Sequence, residues 1–168
     1  NHLPGLRDGH LALVDTDAQH LRAMEELAVR AREGGDGDYT VSATSDYREA
    51  LPGADFVILS FSRENARYRG VDVQVSAECG IRMCSGDTIG PGGVFRAYRE
   101  FAEVDAVARA VAELCPEAWL INYVNPSAVF GIALSKQHPV RSIALCDSLH
   151  LPHLHHRYLQ IIGRHHAE

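Results

Sequence analysis

The stretch DFVILSF, residues 55–61, decides the fold class of this sequence. It is a continuous apolar run preceded by a Pro-Gly turn signal, which is typical of a parallel strand buried on both faces. Two later runs, AWLINYV (118–124) and VRSIALC (140–146), have the same character, and a helical pattern precedes each. Strands that alternate with helices predict an α/β fold with a doubly wound parallel sheet. On this interpretation Trp119 is a core residue.

The N-terminal part of the chain follows the same alternation. HLALVD (10–15) predicts a short strand, and an amphipathic helix is expected over 17–33 with Asp17 as its N-cap. YTVSATS (39–45) predicts a second strand, and Asp46 is expected to cap the short helix after it. We therefore expect one Rossmann-like domain over residues 1–168.

Composition and net charge limit the classes of partner that this protein can have. The chain has 168 residues, of which 46% are hydrophobic, and its formal net charge is −6. An acidic chain argues against a sequence-blind nucleic-acid partner, which would need clustered positive charge. No apolar run approaches the roughly 18 residues of a membrane helix. Four cysteines without C-x-x-C spacing favour reduced thiols and a cytoplasmic location.

Residues that end the strands are the candidate ligand-binding residues, because doubly wound sheets bind ligands beyond the carboxyl ends of their strands. These positions include Asp15, Ser60, Phe61, Asn125 and Cys146. An acidic residue after the second strand of a Rossmann unit typically binds the ribose of NAD, which is the role expected of Asp15 if an earlier strand and its glycine loop are missing. A helix cap is the alternative for Asp15. The G-x-G-x-x-G motif itself is absent.

The glycine-rich stretch GDTIGPGG, residues 86–93, leads into a long predicted helix. No strand is predicted before it, and it lacks the Gly-Lys-Ser/Thr of a P-loop, so a phosphate cradle is not favoured. From the residues alone, a Gly-Pro turn that starts a helix remains the simpler interpretation.

Four motifs together resemble the family 4 glycoside hydrolases, which are NAD- and metal-dependent α-glucosidases, α-galactosidases and 6-phospho-glucosidases. The motifs are ADFVILSF, GDTIGPGGVFRAYR, CPEAWLINYVNP and IALCDS, in the family's order and spacing. The resemblance runs from about Leu6 to Asp147. It implies the NAD-binding front part of a longer enzyme, without its first strand and its C-terminal catalytic portion, and such a segment alone is expected to be inactive. The start at Asn1 without a Met agrees with a fragment.

The resemblance also implies roles for individual residues. Cys146 would be the thiolate ligand of a divalent metal, usually manganese, and Asp147 the acid that protonates the leaving oxygen. Asn125 would contact substrate hydroxyls, and Asp87 would line the same catalytic pocket. Ser60 and Phe61 would lie against the NAD cofactor. The sequence CDS departs from the commoner family variants after that cysteine, which leaves the substrate subgroup open.

The implied reaction is glycoside cleavage by oxidation at C3, elimination, water addition and re-reduction. Its substrate would be a sugar or a sugar phosphate, and the enzyme is expected to be a homo-oligomer. Two alternatives stay open. Arg63, Arg67 and Arg69 after the third strand would suit a malate or lactate type of 2-hydroxy acid dehydrogenase. A non-catalytic nucleotide-binding or dimerisation module would suit a chain that lacks catalytic parts.

Overall fold

The computed structural model describes residues 9–35, 38–83, 88–146 and 161. These residues form five strands and five helices that alternate along most of the chain. In chain order they are β1 (His10–Val14), α1 (Ala18–Glu33), β2 (Thr40–Thr44), α2 (Tyr47–Ala50), β3 (Phe56–Leu59), α3 (Asn65–Glu78), α4 (Gly90–Leu114), β4 (Trp119–Asn122), α5 (Ser127–Gln137) and β5 (Arg141–Ala144). The predicted α/β class is confirmed.

All strand pairs are parallel, in two sheets. β1 pairs with β2 from His10 opposite Thr40 to Val14 opposite Thr44. The other sheet has the order β3-β4-β5, with β4 between its two neighbours.

Both predicted aspartate caps are confirmed. The Asp17 carboxylate accepts hydrogen bonds from the backbone N–H groups of Gln19 and His20 at the start of α1. Those donors stabilise the charged carboxylate and hold the pKa of Asp17 below its ordinary value. Asp46 accepts from the backbone N–H of Arg48 and caps α2 in the same way.

One face of the three-stranded sheet is packed by helix. α5 contacts β4 and β5, and α4 contacts α5. A Cβ built on Gly131 of α5 would come within 2.9 Å of the Ala144 Cβ, so this helix lies directly on the face that carries Ala144. Leu59 and Asn122 are register partners on that same face, and both are buried.

The opposite face of this sheet is exposed, which corrects two expectations. Phe56 and Ile58 of β3 are 60% and 63% exposed, and Trp119 of β4 is 39% exposed. The prediction that residues 55–61 form a strand buried on both faces is wrong here, and so is the prediction of Trp119 as a core residue. The physical reason is period-two alternation, which points these side chains away from α5.

The chain divides into two compact units, residues 1–54 and 55–168. The expectation of one domain over residues 1–168 stays a prediction. Among the described helices, none combines the length and the apolar character needed to cross a bilayer.

Candidate functional site

The carboxyl ends of β3, β4 and β5 lie side by side. Leu59, Asn122 and Ala144 are register partners across the three strands. Beyond them the backbone N–H of Tyr123 donates to the Leu59 carbonyl at 2.8 Å, and that of Leu145 donates to the Asn122 carbonyl at 2.9 Å. The next residues of each chain segment therefore emerge at one edge of this sheet.

Three sequence-predicted site residues follow those strand ends. Ser60 comes directly after β3, Asn125 follows β4 by three residues, and Cys146 follows β5 by two. The sheet thus brings the expected cofactor, substrate and metal positions of this unit to a common edge. The roles assigned to these side chains stay predictions.

The turn after β4 is fixed by a buried amide. Asn122 is fully buried, and its side chain donates to the Val124 carbonyl at 2.9 Å and accepts from the Val124 N–H at 3.3 Å. The Asn125 side chain accepts from the N–H of Ser127 at 3.4 Å, at the start of α5, and the Asn125–Pro126 peptide is cis. The Asn125 amide is therefore held near the first turn of a helix at the edge of the sheet.

The cysteines differ in their surroundings. Cys79, Cys115 and Cys146, the three in the described part of the chain, are thiols rather than disulfides. Burial raises the pKa of the Cys115 thiol, which disfavours the thiolate that a metal ligand requires. Cys146 is half-buried at the edge of the sheet, where a ligand can approach it. Within the described residues no group of three or more His, Cys, Asp or Glu side chains could hold a metal. The role of Cys146 as a metal ligand stays a prediction.

The segment between β3 and α3 contains the predicted cofactor residues Ser60 and Phe61. Ser60 is exposed and Phe61 is half-buried. The segment ends at Glu64, the N-cap of α3, whose backbone is in the left-handed region at φ 44°. Glu100 of α4 reaches this segment and is 2% exposed. Sequence reasoning missed Glu100, because a glutamate in an amphipathic helix ordinarily lies on the solvated face.

Asp15 belongs to the other unit, directly after β1. Its Oδ1 accepts from the backbone N–H of Asp17 at 2.8 Å, while Asp17 itself caps α1. The alternative of Asp15 as the helix cap is therefore wrong. The hydrogen bond instead fixes the orientation of the Asp15 carboxylate at the end of its strand.

The glycine-rich stretch does open a helix, since α4 begins at Gly90 with Pro91 in its first turn. Gly90 has φ +75°, which residues with a Cβ rarely adopt. A Cβ on Gly93 would lie 2.6 Å from the Thr88 carbonyl carbon, so the space beside Gly93 is filled by the chain's own backbone. At this glycine the missing Cβ allows the close approach of backbone that the turn requires. Asp87 and Asp147 lie outside the described residues.

These observations define the class of protein. Parallel strands alternate with helices, and polar side chains follow the carboxyl ends of the strands, which is the arrangement of Rossmann-like α/β folds.

Comparison with known proteins gives the family. The model of the family 4 glycosyl hydrolases matches residues 1–152, and the chain belongs to that family. An alpha-galacturonidase of Bacillus subtilis (strain 168) is 36% identical over 142 residues, which are 84% of this chain and 31% of that protein. The chain therefore spans about a third of the length of this relative.

Two solved structures are also similar to this chain. The crystal structure of lplD from Bacillus subtilis superposes with a TM-score of 0.80 at 31% identity, over 96% of this chain and 37% of that one. The 6-phospho-beta glucosidase from Thermotoga maritima, solved with manganese, NAD+ and glucose-6-phosphate, has a TM-score of 0.79 at 18% identity and covers 96% of this chain and 38% of its own. The second likeness concerns the fold alone.

Proposed function

We propose that this chain is the cofactor-binding part of a glycosidase that cleaves its substrate by transient oxidation at C3 of the sugar. The observation that carries the proposal is the common edge formed by Ser60, Asn125 and Cys146 in a chain of family 4. Family membership favours this proposal over the dehydrogenase and the non-catalytic module.

The described residues fit the two groups that such a reaction needs. Within the second unit, the segment of Ser60 and Phe61 would hold NAD, and Cys146 would hold a divalent metal such as Mn²⁺. In the first unit, the oriented carboxylate of Asp15 keeps its proposed role as a ribose ligand. When bound, NAD would supply a hydride acceptor for the sugar C3, and the metal would supply a Lewis acid for the sugar oxygens. NAD and manganese accompany the Thermotoga maritima relative, which supports the same pair here.

The chain's own side chains orient the substrate and move its protons. Asn125, held by the N–H of Ser127, presents an amide that can donate to one sugar hydroxyl and accept from another. Asp147 is proposed as the acid that protonates the leaving oxygen, with Asp87 in the same pocket. Oxidation at C3 acidifies the proton at C2, so elimination exchanges that proton with solvent.

The substrate class is proposed from the curated relative, whose name points to an α-galacturonide. Sugar phosphates are the competing class, because glucose-6-phosphate accompanies the Thermotoga maritima relative. The native protein that carries this sequence can be purified and assayed on an α-galacturonide and on a 6-phospho-glucoside, with NAD and Mn²⁺ added and withheld. We expect cleavage of the galacturonide that needs both additions. Reaction in D₂O should place deuterium at C2 of the product.

Cys146→Ser tests the metal site in that protein, with Cys79→Ser as the matched control at an exposed thiol. Removing a residue that only supports a metal ligand generally lowers metal affinity or activity by about 10–100-fold. Loss of the thiolate ligand itself should therefore lower Mn²⁺-dependent activity by about 100-fold or more. The control should stay within about twofold. Cleavage without NAD, or product without deuterium at C2, would exclude the proposed mechanism. Unchanged manganese activation in Cys146→Ser would remove this cysteine from the site.

A further inference from the structure

The backbone after β3 is held by a buried carboxylate from a distant helix. The hydroxyl of Ser62 donates to Glu100 Oε1 at 3.0 Å, and the backbone N–H of Arg63 donates to the same oxygen at 3.1 Å. Arg96, one helical turn before Glu100 on α4, donates to the Ser62 hydroxyl oxygen at 3.3 Å. Glu100 is 2% exposed and Arg96 is also buried, whereas Ser62 and Arg63 are exposed, so the bonds are partly shielded from water. Charge-assisted hydrogen bonds in such surroundings are among the strong ones.

The segment is held at both ends. On its N-terminal side, the Leu59 carbonyl accepts from the Tyr123 N–H and ties the end of β3 to β4. On its C-terminal side, Glu100 holds Ser62 and Arg63. Ser60 and Phe61, the two residues between these ties, are the proposed cofactor residues.

The backbone conformation makes this second tie important. Glu64 has φ 44° and ψ 42°, a left-handed conformation that a side chain with a Cβ disfavours. Its side chain accepts from Arg67 in an exposed ion pair, which contributes little. The part-buried bond from the N–H of the preceding residue, Arg63, to Glu100 stabilises the turn at this point.

We propose that Glu100 is a positioning residue for the cofactor: it fixes the segment Ser60–Arg63 and thereby sets the affinity for NAD. This inference rests on the proposed function, because it takes that segment as part of the NAD site. Glu100 itself lies beneath the segment and acts through Ser62 and the Arg63 backbone. A preformed segment avoids the entropy cost of ordering when the cofactor binds.

Glu100→Gln is the test, in the native protein that carries this sequence. The glutamine keeps one acceptor oxygen but loses the negative charge that strengthens both hydrogen bonds, and its NH₂ group replaces Oε2, which accepts from the Arg63 N–H at 3.4 Å. Glu103→Gln is the matched control, since Glu103 lies on the same helix and forms an exposed ion pair with the side chain of Arg63. Ser62→Ala removes the hydroxyl that donates to Glu100 and accepts from Arg96.

Two readouts are needed. Amide hydrogen exchange over residues 60–64 should be about tenfold faster in Glu100→Gln and within about twofold of wild type in Glu103→Gln. The NAD dissociation constant should rise about tenfold in Glu100→Gln. Adding Ser62→Ala to that variant should raise the constant little further, because both substitutions weaken the same hydrogen bond between Ser62 and Glu100. Urea midpoints of all variants separate this local effect from a loss of folding.

Three outcomes would contradict three different parts of the argument. Unchanged exchange in Glu100→Gln would overturn the positioning role, whatever happens to NAD. Faster exchange with unchanged NAD affinity would overturn the link to the cofactor. If the wild-type protein binds no NAD, the proposed function fails, and the exchange experiment alone decides whether Glu100 holds the segment.

Discussion

The two compact units of the chain differ in how much apolar surface they bury. In the second unit, Leu120, Phe130 and Leu134 are almost completely buried between the sheet and α5. In the first unit, α1 has no buried residue, and Leu51 is the one buried apolar residue among those described. Two strands and one long helix bury too little apolar surface to form a core. Three strands packed by several helices bury enough. Stability is therefore expected to come mainly from the second unit.

The largest effect is expected in the core of that unit. Phe130→Ala removes a fully buried ring from α5 and should lower the free energy of unfolding by about 3–5 kcal/mol. Ile132→Ala on the same helix is the control, because Ile132 is exposed, and it should cost less than about 1 kcal/mol. Urea unfolding followed by circular dichroism measures both. Equal costs for the two variants would show that burial of Phe130 does not stabilise the second unit, and the expectation of a stabilising core there would be wrong.

A smaller, pH-dependent effect is expected at Asp105 on α4. Its Oδ2 accepts from the Arg109 Nε and its Oδ1 bonds to His138 Nε2, each at 2.9 Å, so it ties α4 to the end of α5. The Arg109 guanidinium, and after it His138, hold the pKa of Asp105 below its ordinary value. A lowered folded-state pKa contributes stability above the unfolded pKa of about 3.9 and loses it as the pH falls through the folded pKa.

Asp105→Asn should therefore destabilise the protein at pH 7, and the difference from wild type should shrink as the pH falls below about 4. Asp46→Asn is the control in the first unit, because Asp46 is an exposed N-cap that accepts from the Arg48 N–H, and asparagine is also a good N-cap. Unfolding free energies at pH 7, 4 and 2.5 decide the matter. A constant difference across this range would show that the charge of Asp105 is not what stabilises the fold.

The smallest effect is expected on α1. Leu27 is 58% exposed, so Leu27→Ala should change the free energy of unfolding by less than about 0.5 kcal/mol. Urea unfolding under the same conditions as for Phe130→Ala makes the values comparable. A cost above about 2 kcal/mol would mean that this side chain is covered in solution, and the contrast between the units would then be lost.

Local patterns in the sequence predicted most of the fold. The apolar runs predicted β3, β4 and β5, and a side-chain acceptor before a helical pattern predicted the caps Asp17 and Asp46. These features depend on neighbouring residues, so a single sequence contains the information. The pattern of a run does not say which faces of a sheet are covered, which is why Trp119 was misassigned.

The candidate site was predictable to a lesser degree. Strand ends predicted the common edge of Ser60, Asn125 and Cys146, because parallel strands in register end together. The contact of Glu100 with Ser62 spans 38 residues of sequence, and no local pattern marks it. The space beside Gly93 likewise depends on how Thr88 folds back, which composition does not reveal.

The exposed face of the three-stranded sheet should affect how strongly copies of the protein associate in solution. Phe56 of β3 lies beside Trp119 of β4, and Ile58 of β3 and Ile143 of β5 lie on either side of Ile121 of β4. Phe56, Ile58, Trp119 and Ile143 are all exposed. Apolar patches of this kind bind fluorescent hydrophobic dyes and promote association between copies. The net charge of −6 opposes that association through repulsion, which salt screens. Purification of this chain should therefore favour low ionic strength and a pH at which its carboxylates stay ionised, and the intrinsic fluorescence of Trp119 offers a direct signal of contact between copies.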